Sequence, residues 1–193
     1  MNRRIFISAG LALVGFGRRV WAQVADVSSP VRYASLTQPV RIPEIAVATP
    51  WQPVSFVAES RFRERRVLIS GVLFRRASAA ARGDGAPQAE RAFRGAGTPG
   101  SIEDLSALCV TCPHEQCHVE LVTDAARLVR MVTDKPVNPL FECGCHFSVF
   151  DAARDGARIS GESPRGLYRF RIGSTRDGIV EIHEIEEDAL AAV

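Results

Sequence analysis

Two short clusters constrain this chain more than anything else in it. Cys112-Pro113-His114-Glu115-Gln116-Cys117 reads C-x-H-x-x-C, and Cys143-Gly144-Cys145-His146-Phe147-Ser148-Val149-Phe150-Asp151 reads C-x-C-H-x-S-x-F-D. They hold four of the five cysteines and two of the four histidines in 193 residues. A fold that uses both must bring two distant loops together. Two thiols and two imidazoles make a good tetrahedral set for zinc. The four cysteines can also pair among themselves as disulfides, leaving the histidines idle. The residues alone leave both readings open.

The rest of the pattern is that of an all-β chain of small antiparallel sheets. From Val40 onward short alternating segments dominate, punctuated by Pro and Gly. Arg41–Ala46, Pro53–Glu59 and Arg66–Phe74 read as strands, and Leu128–Val132 as a further one. Leu167–Ile172 alternates cleanly, with Tyr168, Phe170 and Ile172 on one side and Leu167, Arg169 and Arg171 on the other. Ile179–Ile185 follows a Gly173–Gly178 turn as its hairpin partner. Helical periodicity is absent except in Glu186–Val193, a C-terminal tail. Residues 77–100, rich in Ala, Gly and Arg, read as a long surface loop. Apolar residues make up 46% of the chain, enough for a sizeable core.

The first 22 residues contain Arg3, Arg4, Arg18 and Arg19 and no acid. Without them 20 basic residues face 22 acidic ones, a net −2, which argues against a nucleic-acid partner. Arg3-Arg4-Ile5-Phe6-Ile7, a short apolar run to Gly17, then Arg18-Arg19 and Val20-Trp21-Ala22 resemble a twin-arginine export signal cut after Ala22. The expected location is therefore the periplasm. Ile5–Gly17 is 13 residues long, short of the about 20 that a spanning helix needs. Membrane association would thus come only through this segment, kept as an anchor. Residues 23–39 read as a polar connector, and the domain proper as 40–185.

Taken together, the two clusters resemble those of the Rieske family. In that family two thiolates hold one iron of a [2Fe–2S] cluster and two imidazoles hold the other. By position the resemblance implies Cys112 and Cys143 as thiolate ligands and His114 and His146 as imidazole ligands. It implies one cluster per chain, a disulfide between Cys117 and Cys145, and a fold in which a cluster-binding part, about residues 105–166, is inserted into a base. Gly161-Glu162-Ser163-Pro164-Arg165-Gly166-Leu167 falls where the family has a Pro-rich loop over the cluster, with Pro164 in the matching place. The disulfide positions and the export signal point to the respiratory branch.

Several residues depart from the quinol-oxidising members of that branch. Glu115-Gln116 replaces a Leu-Gly pair that helps form the surface docking into a quinol pocket. Phe150 replaces a Tyr whose hydroxyl reaches a cysteine sulfur, while Ser148 keeps its hydroxyl. Gly144 stands where Pro is usual. A lost hydrogen bond to sulfur implies a lower potential than in those relatives. The nearest similarity is to the small subunit of arsenite oxidases. That implies an electron-transfer subunit rather than a catalyst, paired with a molybdopterin enzyme and passing electrons to a c-type cytochrome or cupredoxin. The alternatives are the Rieske subunit of a cytochrome b complex and a structural zinc or disulfide module.

The other reactive residues carry bland expectations. Cys109 reads as a small buried residue on the strand entering the first loop, and His118 as exposed or locally hydrogen-bonded. His183 sits in a strand without a cofactor role, Asp151 forms a turn, and Arg61–Arg66 is a solvated face. Glu115 is either a docking charge or a solvated side chain.

Overall fold

The computed structural model describes residues 30–77, 101–132 and 138–192, with backbone only at 174–176. The export segment 1–22, the first part of the connector (23–29) and nearly all of the 77–100 loop lie outside the described residues. Ten strands form two antiparallel sheets: β1 (Tyr33–Pro43), β2 (Val54–Phe62), β3 (Arg65–Arg75), β4 (Leu105–Cys109), β5 (Val119–Val122), β6 (Leu140–Cys143), β7 (Ser148–Asp151), β8 (Ala157–Ser160), β9 (Phe170–Arg176) and β10 (Ile179–Glu186). The larger sheet runs β4-β3-β2-β1-β10-β9, the smaller β5-β6-β7-β8. Two short helices, α1 (Ala125–Met131) and α2 (Glu187–Ala191), complete the described elements apart from single 3-10 turns. Among the described residues no helix is long and apolar enough to cross a membrane.

Turn chemistry sets the hairpins. Arg63 and Glu64 join β2 to β3 with φ of +48° and +63°, and Asp177 and Gly178 join β9 to β10 with φ of +50° and +71°. Two left-handed residues in a row match the right-handed twist of the flanking strands. The larger sheet closes on itself. Cys109 N–H donates to the Tyr168 carbonyl at 2.9 Å, and Leu108 bridges Arg169, so β4 meets the approach to β9. The interior holds Ile69, Leu73, Cys109, Tyr168, Phe170, Val180, Ile182 and Ile185. Leu190 of α2 packs into the same core.

The smaller sheet lies between β4 and β9 in chain order. A second core joins it to the larger sheet through Val72, Phe74, Leu108, Phe141, Phe150 and Leu167, and Cys112 and Cys143 belong to that core. Leu167 is thus buried, in the second core, while Tyr168 and Phe170 point into the first.

Three segments differ from the sequence reading. Leu128–Val132 is not a strand: Leu128–Met131 lie in α1. Asp124 caps that helix by accepting from Arg127 N–H at 2.8 Å, and Leu128 fills a small core with Val122, Leu140 and Val149. A helix of 7 residues with one buried anchor leaves no helical period to read. β1 starts at Tyr33, inside the segment read as connector, because it pairs with β10 from Tyr33↔Glu186 to Pro43↔Ile179. Its chain turns at Pro43, so Glu44–Val47 is 3-10 rather than strand.

Candidate metal and disulfide site

The first cluster forms the tip between β4 and β5. Thr111 bridges His118, Cys112 N–H donates to Cys117 O at 2.8 Å, and Gln116 N–H donates to Cys112 O at 3.0 Å. That tight return requires Gln116 at φ +59°. The second cluster forms the β6–β7 turn, closed by the Cys143↔Ser148 pair, with Phe147 at φ +53°. β5 and β6 pair with Val119 opposite Cys143, which sets the two tips side by side. Cys117 and Cys145 are joined by a disulfide across a separation of 28 residues.

Cys112 and Cys143 are both free, each 1% exposed, and their thiols lie within hydrogen-bonding reach of each other. Burial pushes the Cys112 thiol above its ordinary pKa, against the backbone N–H groups of His114 and Glu115 that point at its sulfur. The Cys143 sulfur also lies within 4.8 Å of both disulfide sulfurs. On the more open side the rings of His114 and His146 meet edge to face, centroids 4.9 Å apart. Two carboxylates approach them: Glu162 at 4.0 Å from His114 Nε2, and Glu115 at 3.8 Å from His146 Nδ1. Metal-capable atoms of His114, His146 and Glu162 fall within 4.8 Å of one another.

His114 Nδ1 is buried and has no hydrogen-bond partner, alone in this respect among the described side chains. Buried polar atoms are nearly always paired, so an orphaned imidazole nitrogen is a candidate ligand atom. The donor set, two soft thiols and two imidazoles, suits an iron–sulfur or zinc centre. The residues present therefore fit such a group.

Around the tips, Ser148 is fully buried and its Oγ accepts from Ser163 N–H at 3.0 Å. Phe150 is fully buried against Cys112 and Cys143. Pro164 stands exposed, whereas its neighbour Ser163 is fully buried. Nothing in a lone Ser flagged it in advance; its role comes from meeting Ser148 across 15 residues. Gly161 has φ +91°, and a Cβ there would fall onto Ser148 Cα, with Ser148 N and Oγ only 2.7 Å away. Gly161→Ala should cost about 2 kcal/mol by strain and overpacking, read as a lowered denaturation midpoint.

The other cysteine and histidine residues sit apart from this set. Cys109 is buried in β4 and hydrogen-bonds Thr111, and burial raises its pKa. His118 is exposed, and His183 pairs Glu181 at 3.4 Å on β10. Asp151 accepts from Ala153 N–H at 2.8 Å, capping a 3-10 turn. Arg61, Arg65 and Arg66 are exposed.

Phe147 is 71% exposed in a left-handed conformation that a bulky residue rarely adopts. Since its ring buries little, Phe147→Gly should stabilise the chain by about 1 kcal/mol. A chemical-denaturation curve shifted the other way would mean that the ring makes contacts which outweigh the strain.

Fold and site define a class: an antiparallel β protein whose two Cys/His tips are braced by a disulfide and present groups of metal-binding type. No protein-family model matches the chain, and no curated protein matches it.

Proposed function

We propose that the chain carries a Rieske-type [2Fe–2S] cluster on Cys112, Cys143, His114 and His146 and relays single electrons as a subunit of an exported oxidoreductase. When bound, such a cluster accepts and returns one electron at a potential of roughly −150 to +300 mV, raised because neutral imidazoles replace two thiolates. The observation that carries the reading is the buried, unpartnered Nδ1 of His114. It belongs to a tip whose Cys112 faces Cys143 from the other tip.

The chain's own groups have defined tasks in this reading. His114 Nδ1 is one nitrogen ligand, and burial of Cys112 and Cys143 keeps water from the sulfur side. The N–H groups of His114 and Glu115 stabilise the Cys112 sulfur as an anion. The Cys117–Cys145 bond holds the tips at a fixed spacing. His114 and His146 are partly exposed, so a partner can come close to them. Glu115 is 61% exposed at the side chain and lies beside His146. A charge in that place suits a protein partner better than an apolar quinol pocket, favouring an arsenite-oxidase-like subunit over that of a cytochrome b complex. The donor and acceptor in that assignment are a molybdopterin enzyme and a c-type cytochrome or cupredoxin.

Iron and acid-labile sulfide assays on matured protein, with electron paramagnetic resonance after dithionite reduction, test the reading. Two irons and two sulfides per chain are expected, with an average g below that of all-cysteine clusters. One zinc per chain and no sulfide would replace it with a structural zinc module.

A further inference from the structure

Glu186, the last residue of β10, is 1% exposed, yet carries a carboxylate. A charge this deep must be paired. Arg169 Nε donates to its Oε1 at 2.6 Å, and Arg165 Nη2 donates to its Oε2. Arg165 belongs to the 161–167 strap rather than to either sheet. Its Nη1 reaches Asp188 at 3.2 Å, and its guanidinium lies over the Tyr168 ring at 4.6 Å. One side chain thus ties the strap to the end of β10 at Glu186, to Asp188 of α2 and to the Tyr168 ring ahead of β9.

The anchor continues toward the Cys/His tips. The Arg165 carbonyl accepts from Ser163 Oγ at 2.8 Å, and Ser163 N–H donates to Ser148 Oγ at 3.0 Å. Ser148 stands directly opposite Cys143 in the β6–β7 ladder. Facing residues of an antiparallel pair project to the same side, about 4.5–5.5 Å apart at Cβ. A serine oxygen has two lone pairs and one proton. With Ser163 N–H on a lone pair, the proton is turned elsewhere, and Cys143 lies across the ladder.

We infer that Arg165 is a positioning residue: its latch on Glu186 holds Ser163 against Ser148 and so sets the direction in which the Ser148 hydroxyl donates. This inference rests on the cluster reading above. A hydroxyl held toward sulfur stabilises the more negative, reduced state and raises the potential. Releasing the latch frees the strap, lets the hydroxyl turn, and admits water.

Arg165→Ala is a usable test because Arg169 still pairs the buried Glu186, so no lone charge is left inside. Glu186→Gln is the second variant, entered from the other side of the pair. Three readouts apply. In cluster-loaded Arg165→Ala the equilibrium constant for reduction should fall about tenfold, about 59 mV for a one-electron couple. Loss of iron to a chelator should be about tenfold faster. In the cluster-free chain, amide exchange at Ser163 should accelerate about tenfold while Val180 and Ile182 exchange as before. Arg165→Lys, which keeps the charge, should recover part of the potential.

A loaded variant with wild-type potential overturns the inference, whether or not Ser163 exchanges faster, since the latch would then be structural only. Unchanged exchange at Ser163 in both variants overturns it as well. Uptake of no iron by the unsubstituted chain sinks the cluster reading itself and the tuning role with it, an outcome distinct from either of those.

Discussion

Cys145→Ser should lower the free energy of unfolding by about 3–4 kcal/mol, the value that loop-closure entropy assigns to a cross-link spanning 28 residues. Domains are stable by only about 5–15 kcal/mol, so this is a large share. At roughly 2–4 °C per kcal/mol for a chain of this size, the melting temperature should fall by about 10 °C. Cys117→Ser should do the same, and the double variant should add little, because both single variants break one bond. The local effect is sharper than the global one. β5 and β6 still pair at Val119↔Cys143, but beyond that rung the disulfide is the covalent tie between the tips, beside the Cys112–Cys143, His114–His146 and Glu115–His146 contacts. Calorimetry of the variants against the oxidised chain measures the loss. A melting temperature within 2 °C of the parent would mean that the tips are held without their bond.

The second large effect separates cysteines and histidines that look alike in the sequence. Cys143→Ser and His114→Ala should each reduce bound iron from two per chain to none, since a cluster with one ligand missing is not retained. Cys109→Ala and His118→Ala should leave iron unchanged. Cys109 is as buried as Cys143, but it packs in the core of the larger sheet and hydrogen-bonds Thr111, away from the facing pair. His118 is exposed and contributes its backbone to the bridge with Thr111. Iron assays on all four variants make the comparison. Iron lost on His118→Ala would overturn the ligand assignment, and iron kept on His114→Ala would do so equally.

Much of the larger sheet could be read directly. β2, the first half of β3 and the start of β10 alternate in burial, so local periodicity could be read there. Only the end of β1, from Arg41, could be read, because only Leu36 and Ile42 of its eleven residues are buried and its stability comes from the ladder with β10. The short strands β4 to β8, four or five residues each, carry too few repeats to stand out. Leu128–Val132 misled for the opposite reason: its apolar residues suit either period, and the Asp124 cap with the Leu128 anchor decided for helix.

The cysteines and histidines themselves are a matter of sequence. Their types and spacing within each tip are local, and local spacing bounds what donor chemistry a loop can offer. Which of them meet is not local. That Cys112 faces Cys143 while Cys109 does not, and that Cys117 reaches Cys145, depends on the register of β5 on β6. The orphaned His114 nitrogen and the chain of contacts from Glu186 through Arg165 and Ser163 to Ser148 depend on the packing of one sheet against the other. Burial and partnership are properties of distant residues brought together. A sequence states which groups are available, and only the closed fold decides which are desolvated and which are paired.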